Sequence, residues 1–300
     1  MSVASPVSLP SLEGRGVGMS NRPFALQSAF TMVEIALCLA IVGFALVAII
    51  GVLPAGLNVQ RENREETIIN EEATMWMDAL RAGGPNDFDA NANVFDSLAD
   101  YVDRVVVSSQ NFDQNNAPLG PVVVTVAERG TPRIGDNKVA YGDRGDMIVS
   151  LLTTPRVGPP TPNSGAAAAY STNYVVAYVR AFNGIAAEKP PQDNLDVRDL
   201  AFNYRLVVDT TPLDAYDFGP IKTNRIDRTL GQNLADVRLL FRWPLKQSVT
   251  QDTPLGKPET GIGRLAFRTQ LSGRIEQEPN NVYPDVGFYF LRSRDYVRTK

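Results

Sequence analysis

Few side chains in this sequence are of the types that enzymes use for catalysis. The chain has 300 residues, with no histidine and a single cysteine, Cys38. The lack of histidine excludes Ser-His-Asp hydrolysis, Cys-His proteolysis and histidine-ligated zinc or haem. One cysteine allows neither an intrachain disulfide nor a CxxC site. The remaining acid pairs lie in polar turns, so the sequence predicts a protein that is not an enzyme and needs no cofactor.

One group of side chains has the spacing of metal ligands. Asp87, Asp89 and Asn91 place oxygen atoms on alternate residues, as in the first part of a calcium-binding loop. An EF-hand would have glycine where Ala92 stands and glutamate where Leu98 stands. A solvated turn is therefore the favoured interpretation, a calcium loop is the alternative, and no other metal site is predicted.

The carboxylate of Glu34 stands at the edge of the most apolar segment of the chain. Residues 35–53, IALCLAIVGFALVAIIGVL, contain no polar or charged side chain. As a helix they would be about 28 Å long, close to the hydrocarbon thickness of a bilayer, so they predict a membrane span. Glu34 is then either a functional charge that needs a partner near the membrane or a helix-start glutamate favoured by the helix dipole. The residues alone leave both interpretations open.

The residues around this span carry a family resemblance. AFTMVEIALCLAIVGFALVAIIG, residues 29–51, closely resembles the N-terminal processing and methylation motif of type IV prepilins and type II secretion pseudopilins. The resemblance implies that a prepilin peptidase cuts between Ala29 and Phe30 and that the new amine of Phe30 is methylated. It also implies that Glu34, the fifth mature residue, neutralises an N-terminal amine in the growing filament. Ala29 stands where the family usually has glycine.

The same resemblance implies a location and a set of partners. The chain would be held in the inner membrane by a single span, with its C-terminal domain in the periplasm, and then be extracted into a filament. Its partners would be other pilin or pseudopilin subunits, the prepilin peptidase/methyltransferase, the inner-membrane assembly platform and membrane lipid. The leader would begin at Met1 or, more like the family, at Met19. No nucleic-acid partner is predicted, because the net charge of −4 comes without a basic cluster.

The helix is predicted to continue beyond the membrane, with a kink near Pro54. Residues 58–67 are nearly all polar, which indicates a solvated neck. After them, apolar residues at spacings of four, three and four predict a face that packs on a sheet, and this stripe consists of Ile69, Ala73, Trp76 and Leu80. Two glycines followed by Pro85 are predicted to end the helix.

The rest of the chain has the pattern of short strands separated by turns rich in glycine, proline, asparagine and aspartate. The predicted strands are 102–108, 121–127, 147–152, 174–180, 201–208, 237–241, 265–271 and 287–291. Phe202, Tyr204 and Leu206 alternate with polar residues, which is typical of a half-buried antiparallel strand. The expected fold class is α+β and pilin-like, with a long N-terminal hydrophobic helix packed on an antiparallel β-sheet domain.

The predicted organisation has four parts. Residues 1–29 form a leader peptide, 30–57 the transmembrane and filament-core helix, 58–84 the helix continuation on the sheet, and 85–300 a β-rich globular domain. The segments NLADVRLLFRWPL and GRLAFRTQLSG also resemble prepilin-like proteins of the Verrucomicrobia and Planctomycetes lineage. We therefore expect a structural subunit of a type IV pilus or a type II secretion pseudopilus, and its large globular part favours a minor subunit. The alternative is a signal-anchored periplasmic binding or enzymatic domain that does not polymerise.

Overall fold

The chain forms one long N-terminal helix and a mostly antiparallel β-sheet domain, which is an α+β architecture. The computed structural model describes residues 31–83, 97–130, 138–161, 167–182, 202–213, 232–245, 260–278, 287–293 and 296. These residues fall into two units, which divide between Val59 and Gln60. The first unit holds the apolar part of the helix, and the second holds the rest of the helix and the sheet.

Helix α1 (Met32–Ala82) has 51 residues and includes Pro54. It ends at Gly83, whose φ of 70° is the left-handed conformation that closes many helices and that glycine adopts without strain. A Cβ atom at Gly83 would overlap the carbonyl oxygen of Leu291, so the close approach of two backbones also requires glycine. The predicted stop at this glycine is confirmed, and Gly84 and Pro85 lie outside the described residues.

The strands are β1 (Val102–Phe112), β2 (Pro118–Glu128), β3 (Lys138–Ala140), β4 (Val157–Gly158), β5 (Tyr170–Arg180), β6 (Asn203–Pro212), β7 (Leu234–Leu245), β8 (Thr260–Ser272), β9 (Arg274–Glu278) and β10 (Phe288–Arg292). The main sheet has eight of these strands in the order β3-β2-β1-β5-β6-β7-β8, with β4 beside β5. All its neighbours are antiparallel except β2 and β3. Strands β9 and β10 form a separate antiparallel pair.

Seven of the eight predicted strands lie in β1, β2, β5, β6, β7, β8 and β10. The alternation that predicted them is visible in the burial of β6, where Tyr204 and Leu206 are buried and Arg205 between them is half-buried. In β8, half-buried and exposed residues alternate over most of the strand. The alternation of apolar and polar residues therefore has the expected cause, because every second side chain of these strands faces the core.

The prediction of a strand at 147–152 is wrong, because these residues belong to helix α3 (Gly145–Leu152). Every residue of α3 is buried. A short run such as MIVSLL has no polar face in either conformation, so its period cannot distinguish a buried strand from a buried helix. Before it, α2 (Leu98–Tyr101) forms a single turn that leads into β1.

The predicted apolar stripe of α1 is confirmed as part of the core. Ile69, Ala73, Trp76 and Leu80 are all fully or almost fully buried. They belong to one cluster with the inward-facing side chains of the sheet, among them Tyr204 and Phe241. The Trp76 ring also meets Phe182 edge-on, with ring centroids 5.8 Å apart. The second half of α1 is therefore one layer of the β domain.

We expect a fragment that begins at Gln60 to be soluble and β-rich, because it keeps the buried stripe of α1 and omits the exposed apolar part. A fragment that begins at Gly84 would expose the core face of the sheet and is expected to aggregate. Size-exclusion chromatography and circular dichroism of the two fragments test this. Equal solubility would show that α1 does not contribute to the stability of the domain.

Candidate functional site

The candidate site is the N-terminal end of α1 together with its apolar surface. Glu34 lies in the first turn of the helix and is exposed. Ala29 and Phe30, the predicted cleavage and methylation residues, lie outside the described residues. The structure thus places one of the three predicted site residues.

Thr31 caps the helix that carries Glu34. The backbone N–H of Glu34 donates to the Thr31 side-chain oxygen at 3.3 Å, and the N–H of Ile35 donates to the Thr31 carbonyl oxygen at 3.1 Å. The first bond satisfies one of the N–H groups that every helix start leaves without an intrahelical partner, and the second is the first backbone bond of the helix itself. The spacing Thr-x-x-Glu is that of a capping box, a signal in the sequence that identifies Thr31 and that the sequence analysis missed.

The first part of α1 is apolar on all sides and exposed on all sides. Its large side chains are mostly more than half exposed, with Met32 at 87% and Phe44 at 81%. Leaving a side chain such as leucine or phenylalanine in water costs about 1.5–3 kcal/mol relative to burial. A surface of this kind therefore needs lipid or other helices around it, and the helix is long and apolar enough to span a membrane.

Glu65 connects the next part of α1 to the sheet. The other residues of 58–67 are exposed, so the predicted solvated neck is confirmed apart from this one side chain. Its side chain is 16% exposed, and one carboxylate oxygen accepts a hydrogen bond from the indole N–H of Trp243 at 3.1 Å. The other oxygen accepts from Arg61 at 2.8 Å. A polar residue at the neck thus faces the β domain, four positions before Ile69 on the same face.

Glu72 makes a second, fully buried connection to the sheet. It is 1% exposed and accepts hydrogen bonds from the backbone N–H of Phe182 at 2.5 Å and from the Tyr204 hydroxyl at 2.8 Å. The Tyr204 oxygen in turn accepts from the indole N–H of Trp76 at 2.7 Å. We call Glu72, Tyr204, Trp76 and Phe182 the buried network.

The hydroxyl of Tyr204 stays protonated in this setting. Burial raises the pKa of Tyr204 well above its ordinary value, and the neighbouring Glu72 carboxylate raises it further. The phenol therefore acts as a donor to Glu72 and as an acceptor for Trp76 at the same time. This chain of hydrogen bonds fixes the position of the second half of α1 on the sheet, because a shift of the helix would break the bonds.

Glu65 and Glu72 were not predicted as functional residues, although the sequence carries one signal for them. Both acids continue the stripe of Ile69 and Trp76 at helical spacing, so they lie on the face that packs on the sheet. A carboxylate on such a face is stable only with donors opposite it. Those donors belong to Phe182, Tyr204 and Trp243, which lie far away in the sequence.

Within the described ranges, no three histidine, cysteine or acidic side chains lie close enough together to hold a metal ion. Asp87, Asp89 and Asn91, the residues of the calcium alternative, lie outside those ranges. The geometry of the described site therefore consists of a capped helix start, an apolar helix surface and the polar contacts that fix the helix to the sheet.

No protein-family model, curated protein or solved structure matches this chain.

Proposed function

We propose that this protein is a structural subunit, and a minor one, of a type IV pilus or a type II secretion pseudopilus. In this proposal a prepilin peptidase removes the leader before Phe30, and the apolar helix holds the subunit in the inner membrane with the β domain in the periplasm. Other subunits then bundle their helices with it in a filament. The observation that carries the proposal is the coincidence of AFTMVE with the start of a helix whose apolar first part is exposed.

Glu34 has a specific role in this proposal. Cleavage before Phe30 creates a cationic amine four residues from Glu34, about 6 Å along a helix. Where hydrophobic helices bundle, water is excluded and an unpaired charge costs several kcal/mol. A bond between Glu34 and the amine of a neighbouring subunit offsets that cost and fixes the axial register of the two helices.

The contacts of Glu65 and Glu72 suit a subunit that is extracted from a membrane by its helix. Both carboxylates lie in the same unit as the sheet and bind donors on it. The buried stripe adds apolar contact between these polar ones. The β domain would therefore follow the second half of α1 without detaching from it.

The mature N-terminus is the test of the proposed function. We expect mass spectrometry of the membrane-extracted protein to give a first peptide that begins at an N-methylated Phe30. Ala29→Gly is expected to keep or improve cleavage, because glycine is the usual residue of the family there, whereas Ala29→Trp is expected to block it. A first peptide beginning at Met1 or Met19 would overturn the proposal and favour a signal-anchored periplasmic domain that does not polymerise.

A further inference from the structure

The face of the main sheet that points away from α1 carries a row of arginines on neighbouring strands. Arg205 in β6 lies directly opposite Arg242 in β7, and Arg242 lies opposite Arg264 in β8. In the other direction Arg205 lies opposite Tyr178 in β5, which lies opposite Arg104 in β1. We call Arg104, Arg205, Arg242 and Arg264 the arginine row. Side chains alternate along a strand, so these residues point away from the core residues Tyr204 and Phe241 beside them.

Three of these arginines lack an acidic partner among the described residues. Arg104 forms an ion pair with Glu128 at 2.5 Å, but no described carboxylate pairs with Arg205, Arg242 or Arg264. The Nε atoms of Arg205 and Arg242 are buried and make no hydrogen bond. Like charges directly opposite each other destabilise a sheet, and a buried donor without an acceptor costs about 1–3 kcal/mol. The row is therefore short of anionic acceptors.

Two other arginines on the same face of the sheet are paired with a carboxylate, unlike most of the arginine row. Arg238 and Arg268, also directly opposite each other, both bind Asp236, at 3.2 and 2.7 Å. Burial alone would raise the pKa of Asp236, yet the hydrogen bond and charge of Arg268, with the charge of Arg238, lower it below its ordinary value. The carboxylate thus stays ionised between its two partners, whereas no described carboxylate pairs with Arg205, Arg242 or Arg264 of the arginine row.

The arginine row ends at β8, which is an edge strand of the described sheet. β8 pairs with β7 from Thr260 to Ser272, and no other described strand pairs with its outer edge. Its outward residues next to the row include Ile262, which is 96% exposed. An edge strand offers backbone N–H and C=O groups in a line, and an extended peptide can pair with them as an additional strand.

Charged residues on an edge strand commonly serve to prevent pairing with another copy. Two copies of the chain could pair antiparallel through their β8 strands. If the two-fold axis of that pairing passed through residue 264, 266 or 268, an arginine of one copy would lie opposite an arginine of the other. This accounts for Arg264 and Arg268. It does not account for Arg242 and Arg205, which lie one and two strands further inside the sheet, respectively, with buried Nε atoms.

We infer that the outer edge of β8 binds an extended acidic segment of a partner polypeptide, which adds as a strand and presents its carboxylates to the arginine row. An acidic residue of the added strand opposite Arg264 would have its Cα atom about 10 Å from that of Arg242, which is two strand spacings. The acidic side chain and the Arg242 side chain together can span that distance. An acid four residues away on the same face lies opposite Arg268. The inference goes beyond the proposed function and does not depend on it.

A labelled peptide with the central sequence Glu-Val-Thr-Val-Glu tests this inference on the full chain in detergent micelles. We expect saturable binding in fluorescence anisotropy, and at least about tenfold weaker binding to Arg242→Glu and to Arg264→Glu. Arg64→Glu makes the same charge change at an exposed position of α1 and is expected to bind like the unmodified chain. A peptide with glutamine in place of both glutamates is expected to bind at least about tenfold more weakly.

Amide hydrogen exchange separates strand addition from simple attraction of anions. Strand addition is expected to slow exchange at alternate amides of β8, those that point to the outer edge. Equal binding of the peptide to Arg242→Glu, Arg264→Glu and the unmodified chain would overturn the inference. Polyphosphate binding with the same arginine dependence as the peptide, and with no protection of β8 by either, would also overturn it and identify a general polyanion site.

Discussion

Replacing Glu72 by alanine is expected to lower the free energy of unfolding of the β domain by about 3 kcal/mol or more. The substitution removes the acceptor of two donors, the buried Tyr204 hydroxyl and the partly buried Phe182 N–H, and leaves a cavity in the core. Each buried donor left without an acceptor costs about 1–3 kcal/mol. Urea unfolding of the full chain in detergent measures the change, and fluorescence reports on it because Trp76 belongs to the same network.

Glu62→Ala is the matched control for this experiment. Glu62 lies on the same helix and is exposed, so its replacement is expected to change stability by no more than about 0.5 kcal/mol. Tyr204→Phe is expected to fall between the two, since it leaves the Trp76 indole without its acceptor and removes one donor to Glu72, while the Phe182 N–H keeps its acceptor. If Glu72→Ala unfolds at the same urea concentration as Glu62→Ala, the buried network does not hold the helix on the sheet.

Replacing Glu34 by alanine or glutamine is expected to leave membrane insertion and leader cleavage intact and to reduce incorporation into the filament at least about tenfold. The reason is the amine of a neighbouring subunit, which would remain buried without its counter-charge, at a cost of about 3–5 kcal/mol when one partner of such a pair is removed. The measurement compares the amount of subunit in sheared filaments with the amount in the membrane. A subunit at the filament tip has no subunit ahead of it, so binding to partner subunits is measured as well.

Thr31→Ala distinguishes an effect of the Glu34 charge from an effect of a less stable helix start. It removes the cap that Thr31 provides and keeps the carboxylate, so we expect a loss of about 1 kcal/mol in helix stability and near-normal incorporation. Normal partner binding and normal incorporation of Glu34→Ala would contradict the pairing role. Glu34 would then be a helix-start glutamate of the kind favoured by the helix dipole.

Local patterns predicted most of the fold. The apolar stripe around Trp76 and the alternation around Tyr204 depend only on the periods of helix and strand, and both are confirmed. The run at 147–152 failed because its uniform apolarity carries no period. The short or polar strands β3, β4 and β9 were not predicted for a related reason, since none of them shows a sustained apolar alternation.

The polar contacts of the site could not be predicted from such local patterns. Glu72 acquires its role from Tyr204, 132 residues later, and Glu65 from Trp243, 178 residues later. The arginine row exists only once the order and register of β6, β7 and β8 are known. Residues of this kind are defined by the topology of the sheet, whereas the exposed apolar helix is defined by its own composition.

The bond between Glu65 and Trp243 has a consequence for the order of events during synthesis. At about 5–20 residues per second, roughly 10–35 s separate the synthesis of these two residues. The same interval separates their emergence from the ribosome. During it the second half of α1 is present without the strand that receives Glu65, and its apolar stripe is covered only in part. The nascent chain therefore carries an unprotected helix face until β7 emerges, and this interval is when a chaperone or the translocation machinery has to keep it from aggregating.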